Sequence, residues 1–216
     1  MAIHQGKIPI KNVRVILIDL DDTLYSWTTG IWDLIGERIN SFLIDELGFP
    51  VDDVPALRHR LWRQYGTTLR GLQVEFHVDM EAYLAYVHDI PLMELLTPNP
   101  RLEDCLSSLP QRKIIFTNAD SAHACRVLNH LKVADQFTDI IDVHAMFPHC
   151  KPQPEAFQIA LKIINEAPSR CLLIDDSPVN LATAQAFGMG TISVGRHRHA
   201  GSPHLETLSE IVDLLG

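Results

Sequence analysis

The apolar positions of the chain follow two different rhythms. Residues 13–20, VRVILIDL, form an unbroken apolar run that ends in acidic residues, the pattern of a strand buried on both faces and opening at its carboxyl end. Similar runs return at 113–116 before Thr117-Asn118, at 171–174 before Asp175-Asp176-Ser177 and at 191–194 before Gly195, with a weaker one at Ile140-Ile141. Between them, residues 121–131, 154–164 and 180–187 carry helical spacing, the second opening on a proline and the third closed by Gly188. Strands alternating with helices predict an α/β fold with a doubly wound parallel sheet.

Residues 24–97 break that alternation. Ile31, Ile35, Ile39, Phe42 or Leu43, and Leu47 recur at helical spacing, a helix continues through 57–62, and another covers 80–87. The segment starts directly after the first strand's acidic end and closes at Thr97-Pro98-Asn99-Pro100. The reading is a core built from 1–23 and 98–216, with 24–97 inserted as a helical cap over the carboxyl ends of the strands, where open α/β sheets bind ligands.

Composition narrows the function classes. With 216 residues, 46% hydrophobic and 21% charged, the chain is neither collagen-like, coiled-coil nor disordered. A net charge of −9 argues against nucleic acid or an anionic membrane as partner. Neither a signal-like stretch in MAIHQGKIPIKN nor an apolar run of spanning length is present, so a cytoplasmic protein is expected. The four widely spaced cysteines suggest neither a metal pair nor a disulfide ladder, and His197, His199 and His204 match no zinc spacing and read as a loop. His144 and His149, just before Lys151, are within reach of the rim of a site at the strand ends.

The polar residues that follow the strands complement one another. Asp19, Asp21, Asp175 and Asp176 gathered in one crevice would repel unless a cation compensated them, and an all-oxygen donor set points to Mg²⁺. Thr117 and Lys151 then offer a hydroxyl and a charge to a phosphate, with backbone N–H groups near Asn118.

Asp19-Leu20-Asp21-Asp22-Thr23, Phe116-Thr117-Asn118, Lys151-Pro152 and Asp175-Asp176-Ser177-Pro178-Val179-Asn180, in this order, resemble the four motifs of the haloacid dehalogenase-like (HAD) phosphohydrolases. Tyr65-Gly66-Thr67-Thr68-Leu69-Arg70-Gly71-Leu72 and Gln111-Arg112-Lys113-Ile114-Ile115-Phe116-Thr117-Asn118-Ala119-Asp120 are similar to the pyrimidine 5′-nucleotidase-like branch of that superfamily. The resemblance implies a Rossmann-like core with a cap and Mg²⁺-dependent hydrolysis of phosphate monoesters. It implies Asp19 as nucleophile and Asp21 as the acid, starting protonated, that serves the leaving oxygen and then water. It further implies the metal held by Asp19, Asp176, the backbone carbonyl of Asp21, and Asp175 directly or through water. Thr23 would orient Asp21, and Lys151, Thr117 and Asn118 would bind phosphate. The expected partner is a small-molecule phosphate monoester, a nucleoside monophosphate first, with the protein a monomer or homodimer.

Two other classes share some of these residues. Receiver domains place their acidic pair ahead of the phosphorylated Asp, the reverse of the order here, and a silent scaffold would not need every reactive side chain. A different small phosphate, such as a sugar, pyridine-nucleotide or vitamin phosphate, is the enzymatic alternative. In the cap, Tyr25, Tyr65, Thr67 and Thr68 are the candidates for substrate choice. Tyr25, Trp27, Trp62 and Tyr65 either stack a base or fill a small helical core, with core packing favoured for Trp62.

Overall fold

The computed structural model describes residues 12–215; the residues before them, on which the reading of the N-terminal segment rests, lie outside that range. In chain order the elements are β1 (Val15–Ile18), α1 (Ile31–Ser41), α2 (Val54–Tyr65), α3 (Thr68–Phe76), α4 (Met80–Val87), α5 (Leu92–Leu95), α6 (Pro100–Ser108) and β2 (Arg112–Phe116). There follow α7 (Ser121–Leu131), β3 (Asp139–Ile141), α8 (Val143–Met146), α9 (Pro154–Ile164), β4 (Cys171–Asp175), α10 (Pro178–Ala186), β5 (Gly190–Val194), β6 (His204–Leu205) and α11 (Ile211–Leu215). The six strands form one parallel sheet in the order β3-β2-β1-β4-β5-β6. Among the described residues no helix is long and apolar enough to cross a membrane.

Alternation along β1 divides the interior in two. Ile16 and Ile18 face a large cluster that also takes in the buried residues of α1–α7, whereas Val15 and Leu17 face a second cluster built with α9 and α10, centred on Phe116 and Phe157. The sheet is therefore covered on both faces, which is why its strands read as continuous apolar runs.

Where the observed elements depart from the sequence reading, the causes are local. Helix α6 was not anticipated, although Asn99 caps it and Pro100 opens it. Strand β6 is a two-residue edge pairing, too short to leave a period in the sequence. Within 65–72 a new helix begins, because the Thr67 hydroxyl accepts the Arg70 N–H at 3.0 Å as an N-cap. Gly66 just before it, at φ +91°, brings the insert against Cys150 and Pro152, and the Tyr65 carbonyl accepts Gln153 Nε2 at 3.1 Å. The junction of α2 and α3 thereby rests on the loop that carries Lys151.

Candidate active site

Strand register decides which polar residues meet. Ile18 lies level with Ile115 of β2 and Ile174 of β4, so Asp19 follows β1 level with Asp175, the last residue of β4, and Thr117 follows one position further along β2. The chain turns outward in opposite directions on the two sides of β1, and such a switch point opens a crevice at the strand ends.

One carboxylate oxygen from each of Asp19, Asp175 and Asp176 lies within 4.8 Å of the others. Lys151, 2% exposed, drives its ammonium between two of them, with Nζ donating to Asp19 Oδ1 at 2.8 Å and to Asp175 Oδ2 at 2.9 Å. The Lys151 backbone is held by Asn118, whose Oδ1 accepts the Lys151 N–H at 2.9 Å and whose Nδ2 donates to its carbonyl at 3.0 Å. The Asn118 side chain is committed to this loop, which leaves its backbone N–H, the group the sequence offers to a phosphate, for an anion. The Thr117 hydroxyl accepts the Ala119 N–H at 3.0 Å and keeps its own proton to donate.

Two buried carboxylates and one partly buried carboxylate face one ammonium. Burial, together with Asp175 and Asp176, holds the Asp19 carboxyl well above the usual carboxylate range despite Lys151. Burial and the neighbouring Asp175 push Asp176 up to about 7. Both oxygens of Asp175 are taken, by Lys151, the Ser177 N–H and Asn180 Nδ2. Asp19 and Asp176 retain oxygens that no other side chain claims, and with Asp175 behind them they fit a hard divalent cation, which would also keep Asp19 ionised.

The raised Asp176 carboxyl has a measurable consequence. Between its ordinary value near 3.8 and about 7 the folded protein binds the extra proton, so metal-free stability falls as pH rises through that window. Cation binding expels the proton, so affinity rises over the same window. Thermal melts with EDTA or Mg²⁺ at pH 5, 6 and 7.5 should show a metal-induced gain that grows with pH; a constant gain would contradict the assignment.

Asp21 sits in a different environment. Its Oδ1 accepts hydrogen bonds from the Tyr25 hydroxyl and, at 2.9 Å, from His123 Nε2. Thr23, expected to orient Asp21, is buried with its hydroxyl unpartnered and does not do so. Burial pulls the Asp21 carboxyl upward, but His123 and Tyr25 outweigh it, and the group lies below its ordinary value. A phosphate dianion alongside acts in the other direction and favours the protonated acid that the first step needs.

A cavity of about 680 Å³ joins these groups to helices α1–α4. Asp19, Asp21, Thr117, Asn118, Lys151 and Asp176 line its end at the sheet, and Trp32, Asn40, Arg58, His59, Trp62, Thr67, Thr68 and Tyr83 line the part contributed by α1–α4. Thr67 and Thr68 therefore lie where the sequence suggested, whereas Tyr25 and Tyr65 do not line the cavity: Tyr25 serves Asp21 and the Tyr65 hydroxyl accepts from Gln64. Trp62 is half-exposed at the cavity rather than packed in a core, and Trp27 lies under Arg196 at 4.1 Å. His144 bonds Glu81 at 2.6 Å and Asp142 at 3.3 Å, away from the rim, and His149 does not line the cavity either. His199 and His204 bond Gln185 and Ser193, so among the described residues the acidic trio is the one group with metal-binding geometry.

A model of the haloacid dehalogenase-like hydrolases matches residues 13–188. The chain belongs to this family. It is 30% identical over 194 residues to Phosphate metabolism protein 8 of Saccharomyces cerevisiae, covering 83% of this chain but spanning only 60% of that protein. It is 27% identical over 105 residues to the fructose-1-phosphate phosphatase YqaB of Escherichia coli, 48% of this chain and 55% of that one. Among solved structures, the HAD-hydrolase YfnB of Bacillus subtilis, bound to magnesium, superposes with a TM-score of 0.62 at 18% identity, covering 95% of this chain and 99% of that one, which shows a shared HAD fold.

Proposed function

We propose that the protein is a Mg²⁺-dependent phosphomonoester hydrolase acting through an aspartyl phosphate on Asp19, with residues 24–97 as its cap and nucleoside 5′-monophosphates, pyrimidine ones first, as substrates. The observation that carries the reading is the pairing of Asp19 with Lys151 at 2.8 Å in the cavity that also admits Asp21 and Thr117. Asp19 attacks phosphorus in line, and Lys151 and the Thr117 hydroxyl stabilise charge on the phosphoryl oxygens. Mg²⁺ held by Asp19 and Asp176 would neutralise phosphate charge and orient it. The names of the yeast and E. coli relatives, both tied to phosphate chemistry, support the class.

Substrate choice is read from the insert's part of the cavity. Arg58 spends one guanidinium nitrogen on Gly36 O and Asn40 Oδ1, at 2.9 and 2.6 Å, and keeps its other donors. Tyr83, 3% exposed, lines the cavity with no hydrogen-bond partner among the described residues. Trp32 and Trp62 add half-exposed aromatic faces. Donors that share a cavity with flat aromatic side chains match a planar base bearing carbonyl acceptors, which uracil, cytosine and guanine have and adenine lacks, and a capped pocket takes the single ring of the first two more readily than a double one.

The test is phosphate release from UMP, CMP, AMP, GMP, glucose 6-phosphate and para-nitrophenyl phosphate, with Mg²⁺ or with EDTA. UMP and CMP should exceed AMP in kcat/KM, and EDTA should remove all activity. Tyr83→Phe should lower kcat/KM for UMP roughly five-fold, the size of one lost hydrogen bond, and that for para-nitrophenyl phosphate less. Equal use of purine and pyrimidine nucleotides would remove the specificity; full activity in EDTA would remove the metal.

A further inference from the structure

His123 performs no service for the fold that an apolar residue would not. It is fully buried on α7 among Ala124, Val127 and Leu128, and its one side-chain hydrogen bond reaches Asp21, 102 positions away. Its other nitrogen, Nδ1, is buried without a partner among the described residues, a cost that leucine in the same place would not carry. The ring is nevertheless held firmly. His88 stacks on it at 4.2 Å and 17° between planes, and His88 Nδ1 meets Asp120 Oδ2 at 2.6 Å. The second oxygen of Asp120 accepts the His123 N–H at 2.7 Å, so one carboxylate caps the helix carrying His123 and anchors the ring that covers it.

We propose that His123 is a positioning residue for the acid: together with Tyr25 it pins Oδ1 of Asp21, so that proton transfer to and from the substrate runs through Oδ2. Oδ1, which also takes the Tyr25 hydroxyl, can only accept, so the imidazole nitrogen that meets it, Nε2, carries the proton and His123 is the donor. With the Tyr25 hydroxyl on the same atom, Oδ1 has both acceptor positions filled, and Oδ2 is the oxygen left to work. In the first step an Asp19 oxygen bonds to phosphorus, the bond from phosphorus to the leaving oxygen breaks, and the proton on Oδ2 goes to that oxygen. In the second, water attacks phosphorus, its proton returns to Oδ2, and the bond from phosphorus to Asp19 breaks to release phosphate. The inference rests on the hydrolase reading above and adds to it the device that aims the acid.

The test exploits the leaving group. An alkyl alcohol needs a proton to depart, whereas para-nitrophenolate leaves as an anion, so misaiming the acid hurts the two unequally in kcat/KM, which reports the first step. His123→Leu should lower kcat/KM for the best alkyl monophosphate of the panel about 100-fold and that for para-nitrophenyl phosphate under about five-fold. His123→Gln, which keeps an N–H donor at similar reach, should recover most of the alkyl activity, and Tyr25→Phe should shift the ratio in the same direction as His123→Leu. Equal losses on both substrates in His123→Leu, or no difference between the Leu and Gln variants, would overturn the proposal. If His123→Leu does not fold, the Tyr25→Phe ratio decides. Wild-type protein that releases phosphate from neither substrate would overturn the hydrolase reading and this inference with it.

Discussion

An Asp19→Asn protein is expected to release phosphate on the order of 10⁴-fold more slowly than wild type, or slower, and to melt no lower in metal-free buffer. The loss follows from chemistry: an amide oxygen cannot form the acyl phosphate, and none of the remaining groups replaces it, since Asp175 is tied up by Lys151, Ser177 and Asn180. The retained stability follows from electrostatics. Burial and two neighbouring carboxylates already raise Asp19 well above its usual range, so removing its charge relieves repulsion, and the amide oxygen can still accept the 2.8 Å bond from Lys151. Phosphate release and a thermal melt on one preparation read both halves. Turnover within ten-fold of wild type in a folded protein would exclude Asp19 as the nucleophile.

How much of this was legible in the chain depends on whether a residue's position follows from its own strand. Asp19, Thr117 and Asp175 each follow an apolar run, and parallel register does the rest: once Ile18 aligns with Ile115 and Ile174, Asp19 and Asp175 come level and Thr117 lies one position further on. Lys151 was recognisable by its place in the motif order, though the Asn118 clamp on its backbone was not. Helical periodicity states which face of a helix is buried and is silent on what covers it. Ile35 and Ile39 were therefore visible as buried positions, while the meeting of Asn40, Arg58 and Tyr83 from three helices was not. His123 left a faint trace, a histidine on an otherwise apolar face of α7, but its partner lies 102 residues away and no local rule joins them. Tyr25 and Thr23 show the same limit at short range, since the turn after β1 gives Asp21 to the tyrosine and leaves the threonine unpartnered.

Lys151→Met should destabilise the metal-free protein by about 3–5 kcal/mol, because removing one member of a buried ionic cluster leaves the others uncompensated. The ammonium is 2% exposed and holds Asp19 and Asp175 at 2.8 and 2.9 Å; burial lowers its pKa, yet those two carboxylates more than reverse this and raise it. With a methionine there, three carboxylates within 4.8 Å face no cation, and the site either takes up protons or opens. For a chain of this length the change corresponds to a fall in Tm on the order of 10 °C. A divalent cation then supplies the missing charge, so Mg²⁺ should raise the Tm of Lys151→Met by more than it raises that of wild type, the opposite of what general damage to the core would produce. Activity should stay at least about 10³-fold down even at saturating Mg²⁺, because the cation restores charge to the carboxylates but not the donor to the phosphoryl oxygens. A variant whose Tm in EDTA lies within 2 °C of wild type, or whose response to Mg²⁺ is smaller, would show that Lys151 does not carry the charge balance of this site.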